Sequence, residues 1–336
     1  MNIAVLGAGS WGTAFSIHLY KLKYNVHLWE YYPENVSIIK KTRRNPLLEG
    51  IPIPLRIHVT NNIDKAVEKA EVIVVAVPSH TVRDTIKNIK GKVDKNVIIV
   101  NLSKGIEEDT LLRMSEVIEQ VLDHPSDMIV TLHGPSHAEE VAREIPTCVV
   151  SASKNIDTAK FIQERFISEY FRIYRSSDII GVEIGGAIKN VIAIAAGICD
   201  GLSLGDNSKA ALVTRGLFEM TRMGVRLGAK EETFAGLSGI GDLIVTCNSK
   251  YSRNRYVGEE IGKGRKLKDI LKGMTMVAEG VRTCHTVKQM AEKYKVEMPI
   301  SEQVYRVLFE GKNPKKALLE LMTRDPVEER HSLRKE

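Results

Sequence analysis

The stretch Gly7-Ala8-Gly9-Ser10-Trp11-Gly12 constrains this chain more than any other. It follows an apolar run at residues 2–6 and opens a helical pattern from about Thr13 to Lys23. Between a strand and a helix, three glycines at this spacing have separate roles. Gly7 permits a tight turn, Gly9 lets a pyrophosphate approach the backbone, and Gly12 lets the helix pack closely on the strand. The amides at the helix start then face an anion. A second strand-like run, Val26–Trp29, ends in Glu30, eighteen residues after Gly12. A carboxylate there can accept from both ribose hydroxyls of an adenosine. It would also repel a 2′-phosphate, so the pattern leans to NAD. Tyr31 and Tyr32 are placed to stack on adenine. Lys40, Lys41, Arg43 and Arg44 lie further along and could serve NADP instead.

The strand–helix alternation continues through the first half. Glu71–Val77 is a nearly continuous apolar run of the kind found in buried parallel strands. Further strands are expected at residues 96–100, 128–132, 147–150 and 172–174. In open sheets of this kind, ligands sit beyond the carboxyl ends of the strands. Lys104 and Ser136 occupy such ends and are candidate substrate contacts. His133 and His137 are four apart, but Gly134 and Pro135 break the helix that a metal pair would need. No metal site is expected. The reading is an α/β, Rossmann-type doubly wound sheet over residues 1–180.

Past that point the strand signal nearly disappears. Helical patterns follow at about 181–197, 208–227, 240–247, 252–262, 279–294, 301–310 and 314–322, predicting an all-helical domain over residues 181–336. In the first, Ile184, Ile188, Val191, Ile192 and Ala195 form one buried face. A neighbouring stripe holds Lys189 above Gly185 and Gly186. It admits two readings. The glycines allow close helix packing under a snorkelling lysine, or they leave a bare surface where a small substrate reaches the ammonium. Asp242 lies among glycines at a probable helix start, as an N-cap or as a working carboxylate. Ser252-Arg253-Asn254-Arg255 brings a hydroxyl, an amide, two guanidiniums and helix-start amides together, a set that suits phosphate.

Composition narrows the classes. With 43% hydrophobic and 27% charged residues the chain is ordinary for a globular protein. Cys148, Cys199, Cys247 and Cys284 are far apart, which argues against a zinc site or a disulfide framework and fits a reducing cytoplasm. The strand-like run at the start leaves no room for a signal peptide. No run is expected to reach membrane-span length, the nearest being 191–197. The net charge of +6 suits anionic ligands. The basic tail at Arg330–Lys335 reads as a solvated end, with no nucleic-acid role.

Taken together, these motifs resemble the bacterial type of NAD(P)-dependent sn-glycerol-3-phosphate dehydrogenase, with the two-domain plan shared by 6-phosphogluconate dehydrogenase. The resemblance rests on GAGSWGTA at 7–14, VPSH at 77–80, LSKG at 102–105, HGPSHAEE at 133–140, GGAIKNVIAIAAG at 185–197, GLSGIGDLIVTC at 236–247, SRNR at 252–255, AEG at 278–280 and MPI at 298–300. It implies interconversion of dihydroxyacetone phosphate and sn-glycerol 3-phosphate, for glycerophospholipid synthesis; separately, helices apolar on much of their surface could build a homodimer interface. Lys189 resembles the catalytic acid/base and Asp242 its carboxylate partner. Lys104, Gly134, Ser136, Asn190, Thr246, Ser252, Arg253 and Asn254 match substrate-contacting positions or their neighbours. Ser10, Trp11, Lys104, Ala138, Arg253, Val277 and Glu279 match cofactor contacts. Glu30 departs from many bacterial relatives, which carry a small residue there and accept NADPH. The readings set against this one are another β-hydroxyacid dehydrogenase of the 6-phosphogluconate type and a non-catalytic dinucleotide sensor.

Overall fold

The structure, a computed structural model, describes residues 1–274 and 276–329. The tail reading at Arg330–Lys335 therefore lies outside the described residues. The chain divides into two compact units, one of Met1–Lys104 with Leu112–Ile179, the other of Gly105–Leu111 with Ile180–Glu336. The segment Gly105–Leu111 groups with the second unit because Ile106 is buried in that unit's apolar cluster and Leu111 packs against it. A division drawn along the sequence has no signal for this excursion.

The first unit is built on eight strands: β1 (Asn2–Leu6), β2 (Asn25–Trp29), β3 (His58–Thr60), β4 (Val72–Val75), β5 (Ile98–Asn101), β6 (Ile129–His133), β7 (Thr147–Ala152) and β8 (Phe171–Ser176). Their order is β3-β2-β1-β4-β5-β6-β7-β8. All neighbours are parallel except β6 and β7. Helices α1 (Ser10–Lys21), α2 (Pro33–Thr42), α3 (Ile63–Val67), α4 (Val82–Lys87), α5 (Met114–Leu122), α6 (Ala138–Ala142) and α7 (Ile156–Phe166) connect them. Ile3, Val5, Val72 and Val74 enter one apolar cluster, while Ala4, Leu6, Ile73 and Val75 enter another. Both faces of the central strands are covered, which is why they read as unbroken apolar runs. Strand order reverses between β1 and β4, the place where such sheets bind ligands. The sequence reading missed β3, a three-residue edge strand too short and too polar to show a pattern.

The second unit is helical: α8 (Ile179–Gly201), α9 (Gly205–Arg226), α10 (Glu231–Phe234), α11 (Asp242–Asn248), α12 (Arg253–Gly262), α13 (Leu267–Lys272), α14 (Glu279–Tyr294), α15 (Pro299–Phe309) and α16 (Pro314–Met322), with a π-helical turn at Leu237–Gly241. The short helices α10 and α13 escaped the periodicity reading. So did the full length of α8, which has 23 residues and is long and apolar enough to cross a membrane. That corrects the expectation that no run reaches span length. The apolar window of α8 is 94% buried inside the protein, as the core helix of a helical domain is.

Glycines set the closest helix contact. A Cβ on Gly197 of α8 would stand 1.9 Å from the Arg255 carbonyl oxygen of α12. One on Gly258 of α12 would stand 1.9 Å from the Ile194 carbonyl oxygen of α8. The two backbones cross where neither has a side chain, and this crossing presses the start of α12 towards the middle of α8.

Candidate active site

The first unit offers a cradle for a dinucleotide. Helix α1 starts from Gly9 with no side-chain cap and no acidic residue in its first turn. Its leading amides are therefore suited to an anion. Gly7 has φ +112°, and a Cβ there would meet the Ala76 carbonyl oxygen at 2.8 Å. A Cβ on Gly12 would fall 1.9 Å from the Gly7 carbonyl oxygen, whereas one on Gly9 would meet nothing within 4 Å. The tight turn, the open approach and the close packing expected of the three glycines are thus all present. Ser10 is buried at the helix start, and Trp11 leans on Phe15 with ring centroids 5.6 Å apart. These features fit a bound pyrophosphate.

Glu30 follows β2 and is buried. Its Oε1 accepts from the Tyr32 amide at 3.1 Å and from Asn35 Nδ2 at 3.3 Å, so the carboxylate is held in one place. Tyr31 is exposed, edge-on to Trp29 and Tyr32. Of the four basic residues weighed for an NADP site, Arg43 is committed to backbone. Its guanidinium donates to the carbonyls of Ile53, Pro54 and Ile57.

Further along the same unit, Lys104 Nζ donates to the Gly134 carbonyl at 3.1 Å, and Ser136 Oγ donates to the same oxygen at 2.9 Å. Three candidate residues from two separate strand ends therefore meet at one carbonyl. Gly134 is required there, since a Cβ would stand 2.9 Å from Val149 Cα. Ala138 is buried at the first residue of α6. Among the described residues no group of three or more His, Cys, Asp or Glu side chains is placed to hold a metal ion.

The second unit carries an ion pair of a different kind from those on the surface. Lys189, midway along α8, is 5% exposed, and Asp242, the first residue of α11, is 1% exposed. Lys189 Nζ lies 2.6 Å from Asp242 Oδ1 and 2.7 Å from Thr246 Oγ1, one helical turn on. Thr246 Oγ1 donates in turn to the Asp242 main-chain carbonyl at 2.6 Å. A buried ion pair is at best weak support for stability, because removing two charges from water is expensive. Asp242 is not an N-cap; Gly241 holds that position, and the carboxylate turns to Lys189. Burial pushes the thiol of neighbouring Cys247 up to about 12.

One expectation fails. Gly185 does not leave a bare surface under Lys189. A Cβ on it would stand 2.6 Å from the Ser238 carbonyl oxygen, so Gly185 admits the π-helical turn that leads into Asp242. The close-packing reading of this glycine is correct, and the packing is what brings Asp242 to Lys189.

The phosphate cluster is also rearranged. Ser252 caps α12, its Oγ accepting from the Arg255 amide. Arg253 is exposed at the first position of the helix. Arg255 is diverted: Nε donates to Asp200 Oδ2 at 2.7 Å and the guanidinium also pairs with Glu259. It is not part of the anion site, contrary to the expectation of two guanidiniums. Asn254 is buried and points inward, donating to Asn190 Oδ1 at 2.9 Å and accepting from the Gly280 amide at 2.9 Å. Val277 and Glu279 flank the start of α14, just before Gly280. Neither Asp200 nor Gly280 carries any sequence signal for these roles, because their partners lie 55 and 26 residues away.

Known proteins share this chain's sequence and fold. Residues 2–159 match the family described as NAD-dependent glycerol-3-phosphate dehydrogenase N-terminus, and residues 178–319 match its C-terminus. The chain is 51% identical over 333 residues to the NAD(P)+ glycerol-3-phosphate dehydrogenase of Thermoanaerobacter sp. (strain X514), covering 99% of this chain and 100% of that protein. It is 50% identical over 331 residues to the enzyme of the same name from Chlorobium limicola, covering 98% and 99%. The crystal structure of glycerol-3-phosphate dehydrogenase from Coxiella burnetii has a TM-score of 0.92 at 37% identity, covering 96% of this chain and 98% of that one. The chain belongs to the NAD-dependent glycerol-3-phosphate dehydrogenase family.

Proposed function

We propose that this protein interconverts dihydroxyacetone phosphate and sn-glycerol 3-phosphate, with Lys189 as acid/base. The observation that carries the reading is buried Lys189, its Nζ held at 2.6 Å by Asp242 and 2.7 Å by Thr246. Gly7–Gly12, Glu30, Tyr31 and Ala138 would hold the dinucleotide, as would Arg253, Val277 and Glu279 by the family resemblance, and the bound cofactor would supply or accept the hydride at the substrate carbon. Everything else falls to side chains of this chain. In reduction, negative charge develops on the carbonyl oxygen, and Lys189 Nζ first donates a hydrogen bond and then the proton that makes the hydroxyl. In oxidation, neutral Lys189 takes that proton back. Asp242 and Thr246 fix the direction of Nζ, so the lysine is not reoriented during the step.

Ser252, Arg253 and the leading amides of α12 bind the substrate phosphate, with Asn254 and Asn190 behind them. Lys104, Gly134 and Ser136 contribute further substrate contacts, and Lys104 also serves the cofactor. Glu30 selects NAD: its fixed carboxylate suits ribose hydroxyls and repels a 2′-phosphate, while Arg43 is occupied by backbone carbonyls. Four free cysteines suit a cytoplasmic protein. A homodimer belongs to the proposal, with exposed Phe309, Leu319 and Met322 on α15 and α16 as apolar surface. The product serves as the glycerol phosphate backbone for glycerophospholipid synthesis.

The site assignment is tested with Lys189→Ala. We expect turnover to fall by at least about a hundredfold, within the range lost with a positioned general acid, while affinity for NADH is unchanged. A variant with turnover near wild type would sink the assignment.

A further inference from the structure

Three helices of the second unit meet at one side chain. Asn254, in the first turn of α12, donates through Nδ2 to Asn190 Oδ1 on α8 and accepts through Oδ1 from the Gly280 amide on α14. Helix α14 needs this. Its N-cap is Ala278, which has no side-chain oxygen and so supplies no side-chain cap hydrogen bond. The first amides of a helix lack intrahelical acceptors, so Asn254 caps α14 from a different helix. Gly280 makes the approach possible: a Cβ there would lie 2.5 Å from the Asn190 carbonyl oxygen and 2.9 Å from Asn254 Oδ1.

The two segments joined in this way have different tasks. Ser252 and Arg253 stand on one side of Asn254 at the phosphate position. Val277 and Glu279 stand on the other, directly before the capped amide. We propose that Asn254 is a positioning residue that couples the two, so that an anion seated at the start of α12 tightens binding of the dinucleotide, and the dinucleotide tightens binding of the anion. An anion that orders residues 252–254 fixes the Asn254 amide. The fixed amide holds Gly280 and orders residues 277–280, which removes part of the ordering cost that a cofactor would otherwise meet. Reciprocity is a thermodynamic requirement. The inference rests on the site reading above and goes beyond it, because it makes the inward-facing Asn254 a link between two binding events.

Titration of NADH, followed by tryptophan fluorescence, tests this with inorganic phosphate as the anion. In wild type, saturating phosphate is expected to lower the Kd for NADH about fivefold or more, the lower end of ordinary coupling. In Asn254→Ala the ratio of the two Kd values is expected to lie within about twofold of one, with a melting temperature that shows the variant folded. Asn254→Asp keeps the acceptor for Gly280, and Asn190 can turn its amide to donate in return, so coupling is expected to survive at saturating phosphate. A wild-type ratio of one or below overturns the proposal. So does an alanine variant with the wild-type ratio, or an aspartate variant that loses coupling as fully as alanine. Wild-type protein that binds NADH and reduces dihydroxyacetone phosphate without coupling contradicts this inference alone. Protein that does neither contradicts the functional reading itself.

Discussion

Lys189 and Arg253 show what individual residues can and cannot disclose from sequence. Lysine over two glycines in an apolar helix is legible as an oddity, but its meaning is not. The partner carboxylate is 53 positions away, and the glycine beneath it admits backbone instead of substrate. Arg253 and Arg255 are two apart and look equivalent in the sequence. The fold separates them, because Arg255 turns to Asp200 and Glu259. Arg253→Ala is therefore expected to raise KM for dihydroxyacetone phosphate by about 10- to 100-fold, the loss of one charge-assisted hydrogen bond. Its effect on unphosphorylated dihydroxyacetone is expected to be small. Steady-state kinetics with both ketones checks this, and equal damage to the two would contradict the phosphate role.

At the level of elements, helix and strand positions were largely readable, since buried faces repeat with the period of the element that carries them. Short elements such as β3, α10 and α13 contain too few residues to repeat. Caps supplied across the fold were unreadable for a different reason: the capped helix holds no trace of its partner. Helix α15 is a second example. Its N-cap, Met298, offers no side-chain cap, and buried Glu219 of α9 accepts instead from the amides of Ile300 and Ser301 and from the Ser301 hydroxyl. Burial pushes the Glu219 carboxyl up to about 7, against those hydrogen bonds. Glu219→Gln keeps the shape but sets an amide donor against a backbone donor. Leaving such a group unsatisfied costs about 1–3 kcal/mol. A fall in melting temperature of several degrees, measured by circular dichroism, is expected; an unchanged midpoint would show that α15 does not depend on this cap.

The whole molecule combines two units, each with apolar clusters of its own. Both tryptophans, Trp11 and Trp29, belong to the first unit. So does His18, buried between α1 and the α7–β8 segment. Its Nε2 lies 2.7 Å from the Phe166 carbonyl, which can only accept, so Nε2 carries the proton and Nδ1 accepts from the Tyr170 hydroxyl at 3.1 Å. Burial pulls this imidazole from the usual 6.5 down to about 4. The folded state therefore stays neutral while an unfolded chain takes up a proton. Stability of the first unit is present above pH 6.5 and falls as pH drops towards 4, by at most about 1.4 kcal/mol per pH unit from this group. Denaturation followed by tryptophan fluorescence at several pH values should show that slope, and His18→Gln should flatten it. A variant with the wild-type slope would assign acid sensitivity to other groups.

Across both units, the doubly wound sheet and the helical second half were visible from the glycine fingerprint and the loss of strand signal. The grouping of Gly105–Leu111 with the helical unit was not, because the chain leaves one core for the other without any change in composition. The central claim, a ketone phosphate reductase whose Glu30 selects the unphosphorylated dinucleotide, meets its most direct test in one assay on the purified protein. Oxidation of NADH and of NADPH is followed separately with dihydroxyacetone phosphate. Rapid oxidation of NADH is expected, with kcat/KM for NADH at least about tenfold above that for NADPH, a difference of about 1.4 kcal/mol. No oxidation of either cofactor would contradict the function, and a preference for NADPH would contradict the role given to Glu30.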